Sequence, residues 1–215
     1  MAMLEMAAIF GASFTLALSG ALMPGPLFTI TISESARRGF VAGPLLMVGH
    51  ALLEAVLVVA VMQGLGAYLK LPPVIGVIAL LGGSFLLYMG ADMVRSAGKL
   101  SLQSDAGELA APPARHPVLI GIFASLSNPY WTLWWATIGL GYLVTAMKTG
   151  PPGVVAFFLG HISADFAWYS LVSLGVSRGK TFLQDSGYRG LIRVCGVFLV
   201  LFGGWFLLSA KNYLL

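Results

Sequence analysis

Two segments of the chain place a histidine four residues before a carboxylic acid. The pairs are His50 with Glu54 and His161 with Asp165. Residues four apart on an α-helix lie on one face, so each pair can present an imidazole and a carboxylate to the same point. These groups can carry protons or bind a cationic group of a substrate. We expect the four side chains to converge, with the acids binding a substrate cation or a coupling proton and the histidines orienting or relaying it.

Two other interpretations of these pairs stay open. Each pair could simply hold its helix against a neighbour. Two imidazoles and two carboxylates are also plausible ligands for zinc, nickel or manganese, so a divalent metal-ion transporter is the alternative function. The chain lacks softer ligands and a histidine-rich loop, and we therefore assign no resident metal and no cofactor. Duplicated ionisable groups are expensive inside a membrane, which favours a transport role.

The first apolar segment is interrupted by Met23-Pro24-Gly25-Pro26-Leu27-Phe28-Thr29. Proline has no N–H to donate and its ring clashes with the preceding turn, so Pro24 and Pro26 leave backbone carbonyls unpaired. In a bilayer such backbone is tolerated only where protein or a polar cavity covers it. We expect the backbone from Gly25 to Phe28 to hold the carboxylate or amine of a small zwitterion. A proline kink that merely fits neighbouring helices is the alternative.

A second break follows in the other half of the chain, at Asn128 and Pro129. Asn128 can both donate and accept hydrogen bonds, and the backbone from Asn128 to Trp131 is the expected counterpart of the first break. An aromatic cluster comes directly after it. Trp131 and its neighbours could stack on a substrate ammonium or belong to an interfacial aromatic belt.

The elements that must position these residues are long and apolar. Of 215 residues, 58% are hydrophobic and 9% are charged, and the mean hydropathy is +0.90. A soluble domain could not bury so much apolar surface. A hydrocarbon core about 30 Å thick requires roughly 20 apolar residues per helix. The sequence predicts an all-α integral membrane protein surrounded by lipid, with six transmembrane helices over residues 6–32, 41–68, 73–94, 118–146, 153–176 and 190–210.

Short sequence matches recur in the same order in the two halves of the chain. They pair residues 26–30 with 129–133, 49–54 with 160–165, and 82–87 with 203–208. Because each half has an odd number of helices, the second half crosses the membrane in the opposite orientation. Inverted repeats of this kind are common in secondary transporters, with the binding site near the midplane.

We therefore predict one transport domain over residues 1–215, with broken first and fourth helices. It consists of a first three-helix repeat (1–96), a cytoplasmic loop (97–116) and a second three-helix repeat (117–215).

The orientation follows from the Lys and Arg residues on alternate loops. Three of the twelve lie on one side, and the other nine lie on the side of the long loop. The positive-inside rule places that loop in the cytoplasm and both termini outside. The first apolar run continues past the proline break, so we expect it to be a retained helix. The excess of Lys and Arg over Asp and Glu then reflects the membrane topology, and no nucleic acid partner is expected.

Four motifs resemble the lysine exporter (LysE) family of amino-acid efflux carriers over essentially all six spans. They are Met23-Pro24-Gly25-Pro26, Arg38-Gly39-Phe40-Val41-Ala42-Gly43, Gly49-His50-Ala51-Leu52 and Ser127-Asn128-Pro129. The resemblance implies efflux of amino acids or similar metabolites across a prokaryotic cytoplasmic membrane. It also implies coupling to the proton motive force, and a homo-oligomer. Alternating access around the midplane site is the expected mechanism.

One position departs from the family pattern. Family members often carry a lysine directly after the Asn-Pro of the fourth helix, where this chain has Tyr130. The resemblance therefore leaves the substrate open. Lysine-like substrates would use Glu54 and Asp165 as counter-charges, whereas threonine or homoserine would leave those acids for proton coupling. No hydrolase motif such as His-Glu-x-x-His is present, and we do not expect an enzyme.

Overall fold

The computed structural model describes residues 2–23, 25–64, 68, 71–99, 115–179 and 185–214, and every regular element within them is helical. Five helices are long and apolar enough to cross a membrane. This is the all-helical membrane architecture that the composition predicts. Most of the loop predicted over residues 97–116 lies outside the described residues.

Two helices occupy the first predicted span. Helix α1 comprises Ala2–Ala21, and α2 comprises Pro26–Arg38. Pro26 is the first residue of α2, where its missing N–H leaves no intrahelical bond unmade. Gly25 before it is extended, with φ −161° and ψ −173°. Pro24 lies outside the described residues.

The remaining candidate spans are continuous helices. They are α3 (Ala42–Met62), α4 (Pro72–Ser96), α8 (Pro151–Gly179) and α9 (Asp185–Ser209). A short 3-10 helix, Ala97–Lys99, follows α4, and a final turn, α10 (Lys211–Leu214), follows α9.

The predicted span over 118–146 is divided into several pieces. They are α5 (Pro117–Leu126), α6 (Pro129–Trp134), a π-helical segment (Trp135–Gly139) and α7 (Leu140–Met147). The break between α5 and α6 has a local cause, because Pro129 lacks an N–H and the Oδ1 of Asn128 accepts from the Tyr130 amide at 3.1 Å. No single helix of this region is long enough to cross a membrane.

Three helix pairs form the frame of the molecule: α4 with α9, α1 with α8, and α3 with α5. Close backbone approach joins α4 to α9. A Cβ added to Gly90 would lie 2.6 Å from the carbonyl oxygen of Gly196, and one added to Gly203 would lie 2.9 Å from the carbonyl oxygen of Gly83. Small residues let helices pack this closely in membranes, where dispersion contacts replace the hydrophobic effect.

Helix α2 is short and lies among α3, α5, α8 and α9. It buries polar side chains that a lipid-facing helix would not carry, including Ser33, Glu34 and Ser35. The Ser35 hydroxyl donates to the Oγ of Ser173 on α8 at 2.7 Å, and that hydroxyl donates in turn to the Phe40 carbonyl at 2.7 Å. These bonds fix the polar helix inside the bundle.

Candidate functional site

Two glycines set the position of the His–acid pairs. His50 and Glu54 lie on α3, and the preceding Gly49 packs on α5, where an added Cβ would collide with the Val118 carbonyl oxygen. The second pair lies on α8, and the preceding Gly160 packs in the same way against the backbone of α1. Each pair therefore lies one residue beyond a backbone-to-backbone contact, which fixes its direction.

The four side chains meet in one buried cluster, as the helical spacing predicts. His50, Glu54, His161 and Asp165 are each no more than 4% exposed, and a ligand atom from each lies within 4.8 Å of the others. Both histidines approach both acids. The Nε2 of His50 is 3.2 Å from Glu54 and 3.6 Å from Asp165, and the Nε2 of His161 is 2.9 Å and 3.3 Å from the same two acids. We call this group the central cluster.

Two indole groups hold the Glu54 carboxylate. The Nε1 of Trp131 donates to its Oε1 at 2.9 Å, and the Nε1 of Trp135 donates to the same oxygen at 2.7 Å. The tryptophans are four residues apart, on either side of the junction between α6 and the π-helical segment. Two N–H donors on one oxygen satisfy an ionised carboxylate better than a neutral acid.

A hydrogen-bond chain fixes how His50 uses its two ring nitrogens. The Ser125 hydroxyl donates its only proton to the Gly121 carbonyl at 2.7 Å, so its oxygen must accept from His50 Nδ1, also at 2.7 Å. A neutral ring would then present the lone pair of Nε2 to Glu54 and Asp165. A proton shared between His50 and the facing acids would turn these short contacts into hydrogen bonds, so the geometry suits a protonated cluster.

The other half of the cluster has unmet hydrogen-bonding capacity. Glu54 Oε2 and Asp165 Oδ2 are buried and contact the Nε2 of His161 at 2.9 and 3.3 Å, and the Nδ1 of His161 has no hydrogen-bond partner among the described residues. Each carboxylate oxygen has a second lone pair that this contact leaves unused. Buried polar groups in native proteins are normally paired. This half of the cluster can therefore accept a further donor such as an ammonium group. The rings of Trp134 and Phe157, with centroids 4.6 and 6.1 Å from the His161 ring, enclose it.

A cavity of about 40 Å³ opens beside the cluster. Six predicted site residues line it: His50, Glu54, Asn128, Trp131, His161 and Asp165. It also touches Leu27, Tyr130, Trp134 and Tyr169, together with small residues of α1. The cavity therefore lies where α1 and α2, the second break, and the cluster adjoin.

Gly25, Pro26 and Phe28, which were also predicted as site residues, do not line this cavity. A Cβ added to Gly25 would lie 3.3 Å from the Tyr130 ring and 3.5 Å from Asn128, so the two breaks do face each other. Pro26 and Pro129 begin α2 and α6.

Phe28 packs against the apolar core, because it points about 100° around α2 from Leu27, which does line the cavity.

Three neighbours of the cluster were not among the predicted site residues: Trp135, Tyr169 and Ser125. Trp135 lies four residues after Trp131, and Tyr169 lies four residues after Asp165, so helical spacing contained a signal for both. Ser125 is on α5, and only the packing of α3 on α5 brings it to His50.

Sequence comparisons relate the chain to known membrane proteins. A family model described as "LysE type translocator" matches residues 18–210. YcgF of Bacillus subtilis, named as a proposed amino acid efflux protein, is 25% identical over 200 residues, covering 92% of this chain and 94% of its own. The leucine efflux protein of Salmonella typhimurium is 28% identical, covering 74% and 73%. The chemotactic transduction protein ChpE of Pseudomonas aeruginosa is 27% identical, covering 91% and 95%. No solved structure matches the chain significantly.

Proposed function

Because the chain belongs to the LysE type translocator family, we propose that it is a secondary transporter that exports amino acids or similar small metabolites across the prokaryotic cytoplasmic membrane. The names of its relatives in Bacillus and Salmonella support this substrate class. The central cluster is the observation that carries the proposal, because a buried group of two imidazoles and two carboxylates beside a cavity can exchange protons and bind an ammonium.

The proposed architecture has six spans in two inverted three-helix repeats, with residues 117–147 forming the interrupted fourth span. Equivalent contacts in the two halves support it. Gly49 meets the backbone of α5, the first helix of the second half, and Gly160 meets the backbone of α1, the first helix of the first half. The third helices of the two halves, α4 and α9, pack on each other. An in-plane pseudo-two-fold axis through the central cluster would relate these contacts.

In the proposed orientation, the end of α2 that carries Arg37 and Arg38 faces the cytoplasm, as does the end of α4 that carries Arg95. The positive-inside rule supports this assignment. Both termini then lie outside, and substrate reaches the central cavity from the arginine-rich end.

The proposed mechanism is an exchange of substrate and proton at the central cluster. The ammonium of an amino acid donates to Glu54 Oε2 and Asp165 Oδ2, the two carboxylate oxygens that face His161 Nε2. Its carboxylate meets backbone groups of the two breaks beside Gly25 and Asn128. When no substrate is bound, a proton held between His50 and the acids reduces the negative charge of the two carboxylates. Rocking of the two halves about the cluster then exposes it to either side in turn.

Counterflow of radiolabelled amino acids in proteoliposomes tests this function. Wild type should exchange one or more of leucine, threonine and lysine in a saturable manner, and Glu54→Gln and Asp165→Asn should weaken the exchange. Glu5→Gln is the matched control, because Glu5 is exposed, accepts a hydrogen bond from Thr149 at 3.2 Å and does not line the central cavity. Wild-type protein that carries zinc or nickel but exchanges no amino acid would refute the proposal and favour the divalent-cation carrier.

A further inference from the structure

A second cavity, of about 50 Å³, lies at the arginine-rich end of the bundle. The C-terminal part of α2, the second half of α4 and the start of α5 enclose it. Its charged residues are Glu34, Arg37, Arg38, Asp92 and Arg115. The rest of its wall is aromatic or apolar, with Phe85, Tyr88, Met89, Met93 and Ile120.

Helix α2 joins this cavity to the central one. Leu27 lines the central cavity and Glu34 lines the second. Seven residues make almost two full turns, so both lie on one face of α2, about 10 Å apart along its axis. Ile30, which is fully buried, lies between them. Thr31, also fully buried, lies on the same face, so one helical turn of buried side chains separates Leu27 from Glu34.

Some of the charges in the second cavity are already paired. Arg37 and Arg38 approach the buried Glu34 carboxylate at 3.7 and 2.5 Å. Arg38 also donates to the backbone carbonyl of Arg115 at 3.2 Å. These contacts hold the α2 side of the cavity in place.

Two opposite charges in the same wall form no ion pair among the described residues. The guanidinium of Arg115 lies 5.2 Å from the centre of the Tyr88 ring and forms no ion pair with a carboxylate of the described residues. Asp92 also lacks an ion-pair partner in the described part of the chain. Within the described residues, a cation and an anion without an ion pair thus lie in the same wall as apolar side chains, and these three features complement the carboxylate, ammonium and side chain of an apolar amino acid.

We propose that the second cavity is a binding site for a zwitterionic amino acid with an apolar side chain, which occupies it before moving to the central cavity. Arg115 binds the carboxylate, Asp92 binds the ammonium, and Phe85, Met89 and Ile120 contact the side chain. The proposal deepens the transport function above and rests on it. It adds a site distinct from the central cluster and a preference for apolar over cationic substrates.

Ligand analogues that lack one charge test each contact separately. Leucine has both charges, leucinamide lacks the carboxylate, and 4-methylpentanoate lacks the ammonium. Arg115→Gln should weaken leucine binding about tenfold and leave leucinamide binding unchanged. Asp92→Asn should weaken leucine binding by a similar factor and leave 4-methylpentanoate binding unchanged. Unchanged binding of the analogue also demonstrates that the variant is folded.

The binding measurements use purified full-length protein carrying Glu54→Gln and Asp165→Asn, so that the central site does not dominate. Arg95→Gln is the matched control, because Arg95 is exposed on α4 and does not line the cavity. The second site is supported if Arg115→Gln and Asp92→Asn weaken leucine binding in this background and Arg95→Gln does not. Equal binding in all three variants overturns it.

Transport assays separate this proposal from the proposed function. In otherwise wild-type protein, Arg115→Gln should raise the half-saturating leucine concentration about tenfold when leucine is supplied at the arginine-rich side, with the maximal rate retained. If the wild type exchanges leucine and Arg115→Gln does not change the half-saturating concentration, the second site is overturned and the transport function is retained. Absence of any amino-acid exchange by the wild type overturns the transport function instead.

Discussion

Replacing Trp135 by phenylalanine removes one of the two indole donors from Glu54. The bond is 2.7 Å long and Trp135 is 3% exposed, so bulk solvent does not reach the position of the lost donor. A buried hydrogen bond to a charged group contributes about 2 kcal/mol to the free energy of unfolding. For a protein of this size, that loss lowers the thermal unfolding temperature by about 4–8 °C. The assay is thermal unfolding of the purified protein in detergent.

The smaller phenylalanine ring also leaves unfilled space, and a double-mutant cycle removes that contribution. In the Glu54→Gln background the acceptor is neutral, and a bond to it is roughly half as strong. Trp135→Phe should therefore lower the unfolding temperature less in that background than in wild type. Trp205→Phe is the control, because Trp205 is 57% exposed on α9. Equal shifts for Trp135→Phe in the two backgrounds would refute the assigned hydrogen bond and leave only a packing contribution.

Three further predictions concern the packing around the site. Gly160→Ala should lower the thermal unfolding temperature because its Cβ collides with the α1 backbone, whereas Gly175→Ala on the same helix has open space and should raise it slightly through better helix propensity. Ser173→Ala should lower the free energy of unfolding by about 1–3 kcal/mol, because it breaks three hydrogen bonds that join α8 to α2, to the α2–α3 turn and to the first turn of α3. Ser177→Ala loses one local bond and should have a smaller effect in the same denaturation assay. Cys195 is 5% exposed and should react with a maleimide only after unfolding, and rapid labelling of the native protein would contradict its burial.

The sequence was sufficient to predict each His–acid pair because the information is local. A spacing of four residues places His50 beside Glu54 and His161 beside Asp165, whatever the rest of the fold does. The two breaks were predictable for a similar reason, since proline removes a backbone donor in any environment. Which helices bring the two pairs together is not local information, and the sequence alone does not supply it.

The partners of the cluster could be predicted only in part. Trp135 belongs to an aromatic run that also suits a membrane interface, and only the tertiary structure turns its N–H toward Glu54. Ser125 is an ordinary small residue on an apolar helix until α5 packs on α3. For Phe28 the sequence predicted a role of the backbone only, and the structure adds that its side chain packs against the apolar core.

The π-helical segment at Trp135–Gly139 has a consequence for aligning this chain with its relatives. A π turn contains one residue more than an α turn, so everything after it is rotated by about 100° relative to an uninterrupted helix. In a relative with a regular helix here, the equivalent of Leu143 in α7 would lie one residue earlier in sequence. A correct alignment then needs a one-residue gap between Trp135 and Gly139, and an ungapped one pairs buried positions of α7 with lipid-facing ones.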